Sequence, residues 1–209
     1  MSETATLPPG IESPPADDGN FYPAGAGDFY EIVNGRVVEP PPMGVYEVWI
    51  ANVLSVAIDR HFTNTGHRGR AVIELLFRIQ NQPNLQRRPD LAFVSYERWP
   101  KKRPLPKTAA WQVVPDLAVE VISPSELAVE VFEKLDDYFR AGVRQVWVVY
   151  PGHQRVFVHN GPKSVTVLDG SDTLDGGDIL PGFRLGLADL FEDGDESGED
   201  EDEQAGTEP

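Results

Sequence analysis

A chain of 209 residues, 40% of them hydrophobic, can bury one sizeable core and gives no reason to expect a second. The absence of cysteine excludes disulfides, Cys-ligated zinc and thiol catalysis, and no apolar run approaches the ~20 residues of a membrane span. The formal net charge of -16 argues against a nucleic-acid partner only until it is located.

Residues 192–209 hold ten acids and no base, residues 1–20 hold four acids and no base, and all 18 bases fall in 21–191 beside 20 acids. The body is therefore nearly neutral. No basic stretch leading into an apolar core opens the chain, so a cytoplasmic location is expected. Residues 1–27, with Pro8-Pro9-Gly10 and Pro14-Pro15, lack the periodicity of a packed element and predict a disordered arm. The acidic stretch 192–209 predicts a disordered tail, which leaves one domain at 28–191.

Within that domain, Phe29 to Val33 and Arg36 to Glu39 flank Asn34-Gly35, the dipeptide of a type I′ hairpin. From Tyr46 to Phe62, apolar residues at Val45, Trp49, Val53, Val56 and Ile58 predict a helix with that face on a sheet. Ala71 to Ile79, Pro89 to Val94 and Asp116 to Ile122 predict strands, the last two apolar enough to be central. A helix is expected from an N-cap at Ser125 to Gly142, followed by a buried strand from Gln145 to Val149, which makes a strand-helix-strand crossover. Arg155 to His159 and Ser164 to Leu168 predict a peripheral hairpin.

Two acids interrupt the apolar strands. Asp90 lies in Arg88-Pro89-Asp90-Leu91-Ala92-Phe93-Val94, and Glu120 in Pro115-Asp116-Leu117-Ala118-Val119-Glu120-Val121-Ile122. A carboxylate between Val119 and Val121 is costly to bury unless it is paired or binds a cation, so Asp90 and Glu120 are candidate metal ligands. Asp116 starts its strand and is expected to be structural, and Glu74 is expected to face solvent. The four histidines lie in no ligand-like spacing. Arg87, Arg88, Arg98, Lys101, Lys102, Arg103 and Lys107 are candidate phosphate contacts, on the expectation that the proline-rich loop 98–107 lies at the mouth of the site.

The ordered set of elements and acids resembles the PD-(D/E)xK nuclease superfamily, and more closely the Uma-two endonuclease family. The residues that carry it are Tyr30 to Gly35, Arg88 to Val94, Pro115 to Ser125, then Lys134, Tyr138, Gly142-Val143 and Val146 to Val149. The resemblance implies an α/β, restriction-endonuclease-like core: a central mixed β-sheet flanked by helices, with peripheral hairpins. It also implies a Mg²⁺- or Mn²⁺-dependent endonuclease acting on DNA, with Asp90 and Glu120 as metal ligands. The superfamily's lysine two residues after the second acid is Ile122 here, and the resemblance moves that role to Lys134 on the following helix. Glu31 and Glu47 become accessory acids, and a homodimer follows from the superfamily's way of cutting both strands. Tyr46 and Tyr150 stand where this family commonly has histidine and aspartate. They motivate a second reading, a catalytically inactive member serving as a nucleic-acid- or protein-binding module.

Overall fold

The structure, a computed structural model, describes residues 27, 29–66, 68–79 and 84–192. The expected arm up to residue 26, the acidic tail beyond 192 and His67 lie outside the described residues. Strands β1 (Glu31–Val33) and β2 (Arg36–Val38) pair antiparallel across Asn34-Gly35. Both turn residues have positive φ, 52° and 76°, as a type I′ turn requires.

Helix α1 (Val45–Thr65) forms where expected but in a different phase. Ile50, Leu54, Ile58 and Phe62, each four residues apart, are buried, whereas Val45 is 92% exposed and Trp49 48% exposed. Val45, Val48, Trp49 and Val56 make a second apolar stripe on the same helix, and the sheet selects the i, i+4 row of Ile, Leu and Phe that can interdigitate with it.

The strand expected over 71–79 is two strands in two sheets. β3 (Gly69–Ile73) ends at Glu74, whose φ of 47° turns the chain away, and β4 (Phe77–Arg78) joins β5 (Gln86–Arg87). The resulting small sheet has the order β2-β1-β5-β4.

The main sheet adds β6 (Leu91–Ser95), β7 (Leu117–Val121), β8 (Gln145–Tyr150), β9 (Arg155–Gly161) and β10 (Ser164–Leu168), in the order β10-β9-β8-β7-β6-β3. It is mixed: β7 and β8 run parallel, joined through helix α2 (Ala128–Ala141), and the other pairs are antiparallel. The hairpin expected to be peripheral is thus the edge of this sheet. α1 covers one face with Leu91, Phe93, Leu117, Val119 and Val121 beneath it, and α2 lays Val131, Leu135 and Tyr138 on Ala118, Ile122, Val146 and Val148 of the other.

The N-cap of α2 is Leu127, not Ser125: the Glu130 carboxylate accepts a hydrogen bond from the Leu127 N–H, and the Ser125 hydroxyl lies 3.2 Å from that of Ser123. It stops at Gly142, where φ is +94°. A terminal helix α3 (Leu187–Phe191) seats against the start of α1, where the Tyr46 hydroxyl donates to the Phe191 carbonyl. No helix among the described residues is long and apolar enough to cross a membrane.

Candidate active site

β6 and β7 pair with Leu91 opposite Val119 and Ala92 opposite Ala118. One further step of that register sets Asp90 opposite Glu120, and residues opposite each other on an antiparallel ladder point to the same face. The face is the one beneath α2, because Ala118 and Ile122, two residues to either side of Glu120, pack there. Glu120 is therefore a carboxylate in the core, 2% exposed.

α2 satisfies it. Residues 134 and 138 are one helical turn apart on the buried side, so both reach the same carboxylate. Lys134 Nζ lies 2.7 Å from Glu120 Oε2, and the Tyr138 hydroxyl donates to Glu120 Oε1. The same ammonium lies 2.9 Å from Glu126 Oε1. Burial acts to lower the Lys134 pKa, but Glu120 and Glu126 outweigh it and raise it, so the ammonium stays charged. Burial, then the charge of Glu120, push the Tyr138 phenol well up.

Asp90 is less well served. The residue is half-buried, and its Oδ2 accepts one hydrogen bond, 2.5 Å from the Val121 nitrogen. Burial and then Glu120 hold its carboxyl well above the usual carboxylate range, and the Val121 N–H and Lys134 offset this only in part.

Glu31 and Arg87 form a second charged cluster beside the first. Arg87 Nη1 donates to Glu31 Oε2 at 2.7 Å, and its Nη2 and Nε reach Asp137 Oδ2 at 2.6 and 3.0 Å. The other Glu31 oxygen accepts the Arg88 N–H at 2.8 Å. Arg87, expected to contact phosphate, is instead buried and turned inward, because two acids with little access to water compete for it. This triad ties the N-terminal hairpin to α2. Arg87→Ala strands two acids, and the expected cost of about 3–5 kcal/mol lowers the melting temperature by about 10 °C. Thermal denaturation within 2 °C of wild type would show that the triad holds nothing together.

The other expected residues are dispersed. Arg88 is half-buried, with Nη1 donating to the Glu74 carbonyl and its guanidinium over the Phe29 ring. Glu47 belongs to α1, on the opposite face of the sheet, and its carboxylate curls back over Gly44.

Lys101, Lys102 and Arg103 are not at the mouth. β6 runs away from Asp90 and β7 runs toward Glu120, so the loop between them lies at the far end of the sheet, about 16 Å of strand away. Arg98 is anchored there on Asp116 and on the carbonyls of Val114, Pro115 and Gly142, and Arg103 covers Trp99. Asp116 is structural, as expected: besides Arg98, it accepts the Ser95 N–H.

Sequence reasoning gave no role to Glu126 or to Tyr138. The i, i+4 spacing from Lys134 was a usable signal for Tyr138. Nothing comparable marks Glu126, which lies in the Ser-Pro-Ser connection after β7.

Fold and site together define a protein with a restriction-endonuclease-like core. A crystal structure of a "putative nuclease belonging to DUF820" from Anabaena variabilis ATCC 29413 shares that fold at a TM-score of 0.66, with 19% identity over 78% of this chain and 89% of that one. The chain belongs to the Uma2 family, described as "Putative restriction endonuclease", whose model matches residues 20–188. No curated protein matches it.

Proposed function

We propose that the protein is a metal-dependent endonuclease hydrolysing DNA phosphodiester bonds, with Asp90 and Glu120 holding Mg²⁺ or Mn²⁺ and Lys134 acting beside them. One observation carries this reading: Asp90 and Glu120 face each other across β6 and β7 while Lys134 descends from α2 onto Glu120. Membership of the Uma2 family and the nuclease-type fold support a nuclease.

The residues fit a hard cation. Two carboxylates face each other on neighbouring strands, and a positive charge there offsets the pressure that burial and Glu120 put on Asp90. Among the described residues no group of three or more acids or histidines is arranged to hold an ion, and Mg²⁺ commonly takes one or two carboxylates and keeps several waters. When bound, the cation supplies Lewis acidity toward a phosphoryl oxygen and lowers the pKa of a water.

The chain's own groups do the rest. Tyr138 holds one oxygen of the Glu120 carboxylate, Glu126 shares the Lys134 ammonium with Glu120, and the ammonium offsets negative charge that develops on the phosphoryl oxygens. The test is melting temperature and cleavage of a mixed DNA panel with Mg²⁺, Mn²⁺ or chelator. Metal-dependent stabilisation with cleavage is expected, and Lys134→Met is expected to keep the stabilisation while losing about 10²–10³-fold in rate. A wild-type protein that shows neither effect makes the carboxylates structural and favours the binding-module reading.

A further inference from the structure

The register that places Asp90 opposite Glu120 continues across the sheet on the same face. Glu120 is opposite Val148, Val148 opposite Phe157, and Phe157 opposite Val167. At the site end of β8 and β9, Tyr150 stands opposite Arg155. α2 covers only the nearer part of this face. Beyond it, Tyr150 and Phe157 are half-buried and set edge to face, centroids 5.2 Å apart, while Val165 and Val167 are 49% and 48% exposed. Phe139 of α2 packs with Tyr150 and Phe157 on the core beneath, and Phe132, seven residues earlier on the same helix face, is 67% exposed.

Such an aromatic surface is a poor face to present to water alone. Strands lie about 4.8 Å apart, so Phe157 is about 10 Å from Glu120, close to where the nucleotide next to a phosphate held at the carboxylates would lie. Tyr150 is closer still: it lies on β8, the strand next to Glu120, two residues beyond Val148, whereas Phe157 is one strand further out.

Three features favour nucleic acid over a second copy of the chain. The surface adjoins the candidate phosphate site, its aromatic rings can stack with any base, and the exposed Arg155 lies on the same face, across the strand pair from Tyr150. We propose that Tyr150 and Phe157, flanked by Phe132, form a stacking platform for unpaired bases next to the cleaved phosphodiester, with Arg155 on the strand's backbone. The substrate is then single-stranded or locally unpaired DNA. This inference rests on the nuclease reading of Asp90, Glu120 and Lys134.

The test uses the full chain in chelator, with a fluorescent oligonucleotide offered single-stranded or as a blunt duplex, and 2-aminopurine to report stacking. Wild type is expected to prefer the single strand. Tyr150→Leu and Phe157→Leu, which keep an apolar side chain, are each expected to weaken single-strand binding about 10-fold and to abolish the stacking signal, with duplex binding unchanged. Phe132→Ser, at an exposed ring that the core does not need, is expected to give a smaller loss and so supports the platform even where a leucine variant folds poorly. Arg155→Gln is expected to reduce the salt dependence of binding by one phosphate contact.

The platform is overturned by wild-type preference for duplex, by single-strand binding unchanged in all three aromatic variants, or by a wild-type dimer in sedimentation that Phe132→Ser dissociates. Metal-dependent duplex cleavage that is indifferent to Tyr150→Leu removes the platform and leaves the nuclease standing. A wild type that binds and cuts no nucleic acid removes both.

Discussion

Glu120→Ala is expected to abolish cleavage and to lower the melting temperature by about 10 °C in the same preparation. Both effects come from one carboxylate. Its Oε1 is the acceptor for Tyr138, a hydroxyl with almost no access to water, and its Oε2 shares the Lys134 ammonium with Glu126. Removing it leaves a buried donor without an acceptor and an ammonium with half its counter-charge, at a cost of about 3–5 kcal/mol. For a domain of this size that amounts to about 2–4 °C per kcal/mol. If Glu120 holds a cation as proposed, its loss costs several kcal/mol of transition-state stabilisation, about 10³-fold in rate. Glu120→Gln separates the two effects, because the amide oxygen still accepts from Tyr138 while the charge is gone, so stability should largely return and cleavage should not. An alanine variant that melts with wild type, or still cuts, would contradict the geometry.

Asp90→Asn is expected to have the opposite effect on stability: in chelator at pH 8 it should melt above wild type, although it cuts nothing. Burial and Glu120 raise the Asp90 pKa in the folded state above its unfolded value. The folded protein therefore binds this proton more tightly than the unfolded chain, and stability falls as pH rises from the unfolded to the folded pKa. Above that window wild type carries the full penalty. Asparagine removes it and keeps an acceptor for the Val121 N–H. The gap between the two proteins should narrow as pH falls toward 4. Mg²⁺ should reverse it, stabilising wild type and not the variant, because a bound cation favours the carboxylate. Melting curves from pH 4 to 8, with and without metal, decide the matter. A variant no more stable than wild type at pH 8 in chelator would mean that the carboxylate is not under electrostatic pressure. The expected pattern is that of a residue kept for chemistry at the expense of stability.

Local signals carried much of this structure. Asn34-Gly35 announced a turn whose backbone angles the two residues alone determine, and an acid inside a valine run announced a buried charge in need of a partner. Lys134 was legible only through family resemblance, since its spacing on an amphipathic helix equally suits a solvated lysine. What stayed hidden is set by tertiary context. The chain from Ala71 to Ile79 reads as one apolar strand because a single positive φ at Glu74 leaves no mark on hydrophobicity. The phase of α1 was ambiguous because Val45, Trp49 and Val56 are as apolar as the residues the sheet buried. The basic loop was misplaced because charge says nothing about which end of a sheet a connection occupies. Arg87 was misread because an arginine 56 and 50 residues from its partners in sequence looks like any surface arginine.

The Glu31–Arg87–Asp137 triad has a practical consequence for anyone handling the protein. Lys134 and Asp137 share a helix turn, so the helix that delivers the ammonium is moored to the first strand of the domain, a hundred residues upstream. A truncation or fusion that disturbs Glu31 is thus a disturbance of the lysine's foothold. An inactive preparation shortened into the first hairpin would report a broken mooring before it reported anything about catalysis.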